Sequence, residues 1–232
     1  MKTAVRRSWV TGLTLTLAAL SALANDRVRL DRFAIDRHEV SIARFAAFTQ
    51  ATGRTTAAEA NGGGHEWDGG WQRRKGWHFR QPLGASDARQ DLPAVHVSWY
   101  EARDFCQWAG GRLPTRAEWT RAAYTEWVGQ AGFVVGQTYP YPTGDSPRGA
   151  NTNGDDPWPN LAPVGATRPG VNGLYDMGAN AWEWLADREG DKALTAGGSW
   201  WYGPAQMQAS AVQWKPADFE VVYIGFRCAY GL

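Results

Sequence analysis

The sequence has 232 residues, with 24 Lys and Arg against 23 Asp and Glu, 27 glycines, 14 tryptophans and 2 cysteines. A near-neutral balance with no basic stripe excludes a nucleic-acid binder and a polybasic membrane-surface protein. The length suffices for one sizeable core, and so much Gly and Trp points to large rings packed on tight turns with modest regular secondary structure.

The chain opens on Lys2, Arg6 and Arg7, an apolar stretch from Val10 to Leu20, and Ala22-Leu23-Ala24 before Asn25. This is the layout of a secretory signal over residues 1–24, leaving residues 25–232 as one domain. Cleavage after Ala24 removes three basic residues and leaves a slightly acidic protein. The apolar run is shorter than the roughly 20 residues of a membrane span, and no later segment supplies one. The expected location is therefore periplasmic or secreted, and Arg6-Arg7 leaves both the general secretory and the twin-arginine route open. Two cysteines in an oxidising compartment suggest one disulfide, Cys106 to Cys228, with two separate buried thiols as the alternative.

Val28 to Ile35 alternates apolar with polar residues, which predicts a half-buried strand. Ser41 reads as the N-cap of a helix that turns Ile42, Phe45, Ala46 and Thr49 to one side and ends at Gly53. Residues 59–91 hold glycine clusters, three tryptophans and several Arg and Lys without a sustained period, and are expected to be a long irregular loop. Ser98 with Glu101, and Thr115 with Glu118, are two capping boxes that start helices. The first turns Ala102, Phe105, Cys106 and Ala109 inward, the second Trp119, Ala122 and Ala123. From Gly129 to Gly170 the composition predicts turns and short strands. With no internal repeat and no linker, the fold class is α+β, a single loop-rich domain.

FAIDRHEVS, LPAVHVSWYEARDFCQWAGGRLPTRAEW, GVNGLYDMGANAWEW, GGSW and GFRCA follow one another in order across residues 30–231. In this succession the chain resembles the formylglycine-generating enzyme (sulfatase-modifying factor) family, which implies a C-type-lectin-like fold. The family's copper enzymes oxidise a cysteine of a client sulfatase with two cysteines placed after the GGS turn. Here Tyr202 and Met207 stand at those positions. A phenol and a thioether do not replace a thiolate pair for soft Cu(I), so copper and formylglycine generation are not expected. The resemblance matches the family's structural disulfide at Cys106 and Cys228. It also implies two calcium patterns: side chains of Asn151 and Asp156 with carbonyls of Thr152 and Trp158, and side chains of Asp176 and Glu183 with carbonyls of Ala179 and Ala181. Carboxylates interleaved with loop carbonyls give the hard oxygens that Ca2+ takes. Asp156, Asp176 and Glu183 capping turns or pairing with arginines is the alternative.

Other chemistry is sparse. His38, His65, His78 and His96 lack metal-ligand spacing, Ser199 lacks a nucleophile elbow and reads as a turn residue, and the glycines form no phosphate-binding motif. The remaining candidate is an aromatic cleft rim of Trp200, Trp201, Tyr202, Gln206, Gln208, Trp214 and Tyr223, suited to a peptide, protein or small-molecule ligand, with core packing as the alternative. The leading expectation is thus a binding or accessory domain without copper chemistry. The rival is a modifying enzyme or periplasmic oxidase that uses Tyr202, Ser199 and a cleft Glu or Arg on a non-sulfatase substrate such as a siderophore precursor. The resemblance extends to such relatives, among them a periplasmic pyoverdine-maturation protein.

Overall fold

The alternating run near the start folds back on itself. In the computed structural model, which describes residues 26–85, 88–154 and 156–232, β1 (Arg27–Leu30) and β2 (Phe33–Asp36) form an antiparallel hairpin across Asp31 and Arg32. One strand was expected over this run. The pairs Val28–Ile35 and Leu30–Phe33 put the same four apolar residues on one buried face, so the alternation suits a hairpin equally well. The secretory signal expected over 1–24 lies outside the described residues.

Helix α1 (Ile42–Thr52) starts at Ser41, whose Oγ accepts from Arg44 N at 3.3 Å, and ends at Gly53 with φ 66°, a left-handed turn that glycine adopts without strain. Its inner face is Ile42, Phe45, Phe48 and Thr49, with Ala46 only half-buried. A capping box at Thr56 and Glu59 starts the single turn α2 (Ala57–Ala60). The chain then makes a second hairpin, β3 (Gly63–Trp67) and β4 (Trp71–Lys75), inside the stretch expected to be irregular. Residues 68–70, Asp-Gly-Gly, make its turn. Both later capping boxes form: Ser98 with Glu101 starts α3 (Trp99–Trp108), and Thr115 with Glu118 starts α4 (Arg116–Tyr124). Among the described residues, 129–170 contain turns and isolated bridges in place of the short strands expected there.

The last third supplies a four-stranded sheet ordered β7 (Gln213–Pro216), β6 (Lys192–Ala196), β5 (Trp182–Glu189), β8 (Ile224–Gly225), with β5 and β8 parallel. β9 (Ala229–Gly231) joins the first hairpin as its third strand, pairing the last residues with β2. β5 separates two cores by its alternation. Trp182 and Trp184 enter the larger one, with Phe45, Phe79, Phe105 and Phe226, while Leu185 enters the smaller with Trp119, Val28 and Ile35. The two layers are tied by the Trp99 indole, whose Nε1 donates to Leu185 O at 2.7 Å, while Trp184 Nε1 donates to Val97 O at 2.9 Å within the larger core. Each fully buried ring contributes roughly 1.5–3 kcal/mol, and the paired indole N–H keeps that gain from being offset. Cys106 on α3 and Cys228 form the disulfide, with Cα atoms 5.5 Å apart.

Candidate functional site

The GGS turn is a tight support. Gly197 and Gly198 both have positive φ, and a Cβ on Gly198 would press on the Gln206 backbone. Ser199 is buried, and its carbonyl accepts from Tyr202 N at 2.9 Å while its Oγ receives Trp201 N at 3.3 Å. It is a turn residue. Beyond it the two positions that the family fills with cysteine diverge. The Tyr202 ring lies edge-on to Trp182 at 5.7 Å and to Tyr223 at 5.5 Å, against the larger core. Met207, fully buried at the end of the Pro204–Met207 turn, packs instead with Ala150, Ala179 and Tyr141.

An aromatic surface surrounds Tyr202. Trp200 and Trp201 are half-buried with ring centroids 4.9 Å apart, and Trp201 leans on Tyr223 at 6.1 Å. Tyr223 lies beneath the expected rim, 1% exposed, because the segment before β8 runs through the core. Trp214 is exposed on β7 but does not join this surface: it pairs with Leu194 on the smaller-core face, opposite Lys215, while Gln208 is exposed and the half-buried Gln206 accepts from Gln213 Nε2 at 3.4 Å. The β3–β4 hairpin extends this surface: Trp71, 44% exposed, reaches Tyr223 at 6.1 Å and meets Trp67 edge-on at 5.2 Å. Lys215 Nζ stands 5.9 Å from the centre of the Tyr223 ring, and burial lowers the pKa of its ammonium.

Behind this surface lies a buried acidic centre. Glu39, Asp176 and Glu183 face a single guanidinium, Arg227. Arg227 binds Glu183 through Nε and Nη2, the shortest contact being 2.7 Å, and spends its other protons on the carbonyls of Asp36, Arg37 and Tyr175. Trp119 Nε1 adds a further bond to Glu183 at 2.7 Å. Glu39 accepts from Asn180 Nδ2 at 2.7 Å and Ala181 N at 3.0 Å, and its pKa is pushed well up, by burial first and then by Asp176 and Glu183. Asp176 accepts from Thr167 Oγ1 at 2.6 Å. Asp176, Ala179 and Asn180 all have positive φ, strain that concentrates where backbone groups are held for a purpose.

The two calcium patterns meet at Asn180, whose Oδ1 accepts from Asn151 Nδ2 at 2.9 Å. Among the described residues Asn151 Oδ1 is buried without a hydrogen-bond partner. Asp156 closes its own loop, accepting from Thr152 N at 2.8 Å and Trp158 N at 3.0 Å. Among the described residues no three His, Cys, Asp or Glu side chains converge to hold an ion by themselves, so carbonyl oxygens would have to complete either set. The first pattern leaves one orphaned amide oxygen open to a hard cation, whereas in the second Glu183 is already paired with Arg227 and Trp119, and Asp176 with Thr167 and Gly165 N, as in the alternative reading of these carboxylates.

A loop-rich α+β domain of this kind, with a disulfide between α3 and the C-terminal segment, is of the formylglycine-generating-enzyme type. The chain belongs to the sulfatase-modifying factor family: the profile of the sulfatase-modifying factor enzyme 1-like domain matches residues 9–232. It is 31% identical to the formylglycine-generating enzyme of Thermomonospora curvata, over 87% of this chain and 83% of that protein. It is 35% identical to the inactive C-alpha-formylglycine-generating enzyme 2 of Bos taurus, over 66% of this chain and 56% of that protein. The structure of PvdO from Pseudomonas aeruginosa shares the fold with a TM-score of 0.64 at 22% identity, covering 86% of this chain and 80% of that one. Among the described residues no helix is long and apolar enough to cross a membrane.

Sequence reasoning missed Trp67, Trp71, Lys215, Glu39 and Asn180. Trp67-Asp68-Gly69-Gly70-Trp71 carried a hairpin signal, aromatic residues flanking an Asp-Gly-Gly turn. Glu39 and Asn180 stood inside quoted motifs, but their partnership spans 141 residues and has no local signature.

Proposed function

We propose that the protein is an exported binding or accessory domain that recognises a peptide, protein or small-molecule ligand on its aromatic surface and does not generate formylglycine. One observation carries this reading. The two cysteine positions hold Tyr202 and Met207, and these side chains enter different clusters, so neither the ligand type nor its direction suits a copper-thiolate pair. Trp200, Trp201, Tyr202 and Gln206 are the contact residues, with Tyr223 supporting them from below. Large rings on a disulfide-tied scaffold offer contact area at low entropic cost. Calcium is structural in this reading, held by Asn151, Thr152, Asp156 and Trp158 and by Asp176, Ala179, Ala181 and Glu183. Bound there, it would neutralise the excess buried carboxylate charge.

The test incubates the purified protein with copper and a cysteine-containing sulfatase peptide and follows the peptide by mass spectrometry. An unchanged peptide is expected; formylglycine in it overturns the proposal.

Lys215 favours a second reading, a modifying enzyme with a non-sulfatase substrate such as a siderophore precursor. Burial lowers the pKa of this amine, which enlarges the neutral fraction able to act as a base or nucleophile. Turnover of a co-incubated precursor that disappears in Lys215→Met would support it, and an unchanged precursor would remove it.

A further inference from the structure

Beside Trp71, the β3–β4 hairpin and the 216–220 segment, with residues of 54–61 and 98–101, line an open groove of about 700 Å³. Its floor is rigid, because His65 N donates to Glu220 O at 2.7 Å and Val222 N to His65 O at 3.1 Å. The Glu220 side chain is 5% exposed, and Asn61 Nδ2 donates to its Oε1 at 3.2 Å. Among the described residues no hydrogen bond reaches Oε2: His65 Nδ1 and Arg73 Nη2 each stand 3.7 Å away, beyond hydrogen-bond reach. His65 Nδ1 is instead 3.2 Å from the Glu220 carbonyl, to which it donates, and this leaves its Nε2 as an acceptor. Trp71 and the half-buried Phe219, edge-to-face at 4.7 Å, form an apolar corner beside these groups.

The groove thus sets an open carboxylate oxygen and an imidazole nitrogen, both acceptors, beside guanidinium and amide donors. A ligand cation placed there meets Arg73, and a ligand anion meets Glu220. A hydroxyl satisfies both, since it donates one hydrogen bond while accepting others. A ring that carries several hydroxyls also has an apolar C–H face to lay on Trp71. Burial raises the Glu220 pKa against the pull of Arg73, in keeping with a carboxyl short of donors.

We propose that this groove is a binding site for a neutral saccharide, which shares Trp71 with the edge of the aromatic surface but does not depend on Tyr202 or on what the rest of that surface binds. The intact protein is applied to an array of neutral glycans, and the strongest hit is titrated by calorimetry, beside oligolysine and oligoglutamate peptides. Saturable binding of a neutral glycan is expected. Trp71→Ala and Glu220→Gln should each weaken it by about tenfold, whereas Tyr202→Ala should leave it unchanged, which separates this site from the surface proposed above. Trp71 is exposed, so its removal tests binding without threatening the fold, and circular dichroism checks Glu220→Gln. Absence of neutral-glycan binding, binding of a charged peptide in its place, or glycan binding that survives both groove substitutions overturns the proposal.

Discussion

Glu183 and Arg227, 44 residues apart and both buried, meet with Arg227 Nη2 2.7 Å from Glu183 Oε1. The pair joins β5 to the C-terminal segment and, through the carbonyls of Asp36 and Tyr175, to the first hairpin and the strained stretch around Asp176. Arg227→Ala would leave Glu183 without its partner beside Glu39 and Asp176. A loss of about 3–5 kcal/mol is expected by denaturant unfolding, with much less lost when Glu183→Leu and Arg227→Met are combined. Equal losses in the single and double variants would contradict this account.

His96 sets a pH dependence. It is fully buried, Nε2 donates to Pro82 O at 2.9 Å, and burial lowers its pKa to about 4. The unfolded chain, with an ordinary histidine near pH 6.5, takes up a proton before the folded one does. Stability from this group is therefore full above pH 6.5 and falls as the pH drops toward 4, by about 3 kcal/mol in all. Urea midpoints between pH 7 and 4, compared with those of His96→Asn, isolate the term; parallel curves would rule it out.

Gly64 faces the His96 ring, and a Cβ there would overlap it. The imidazole is buried and anchored to Pro82, so it has nowhere to move. Gly64→Ala should cost about 1–3 kcal/mol and lower the melting temperature. Gly69→Ala in the exposed turn meets no atom and should cost less, through its positive φ alone.

Calcium should raise the melting temperature and EDTA should lower it. At a free concentration a hundred times its Kd, one site adds about 2.7 kcal/mol. Asn151→Ala removes the orphaned amide oxygen of the first pattern and Asp176→Ala a carboxylate of the second, so each should reduce the metal content measured by mass spectrometry. Identical melting curves with calcium and with EDTA would refute both sites.

Much of this was legible in the chain because the signals were short. Ser98 with Glu101 and Thr115 with Glu118 form their capping boxes within three residues, and the ordered motifs carried the family and the Cys106–Cys228 bridge. What escaped was made by distant partners. The alternation at 28–35 serves one strand or two, and only pairing with β9 and packing on α4 choose the hairpin. In the stretch 59–91 the hairpin signal at Trp67 to Trp71 was masked by the surrounding glycines and charges, and its anchoring, Glu220 and Val222 bonding to His65, has no local signature. Tyr223 read as a rim aromatic, although the parallel pairing of β5 with β8 draws the chain beside it into the core.

The attachment of the β3–β4 hairpin has its own consequence. Its base is fixed by backbone hydrogen bonds at His65, which any side chains would permit, while Trp67 and Trp71 near its tip extend into solvent. Substitutions from residue 67 to residue 71 therefore leave the disulfide and the acidic centre untouched and reach the larger core only where Trp71 rests on Tyr223 and Phe219. The tip behaves as an exchangeable cassette: relatives could acquire new ligands by rewriting five residues while the rest of the molecule stays as it is.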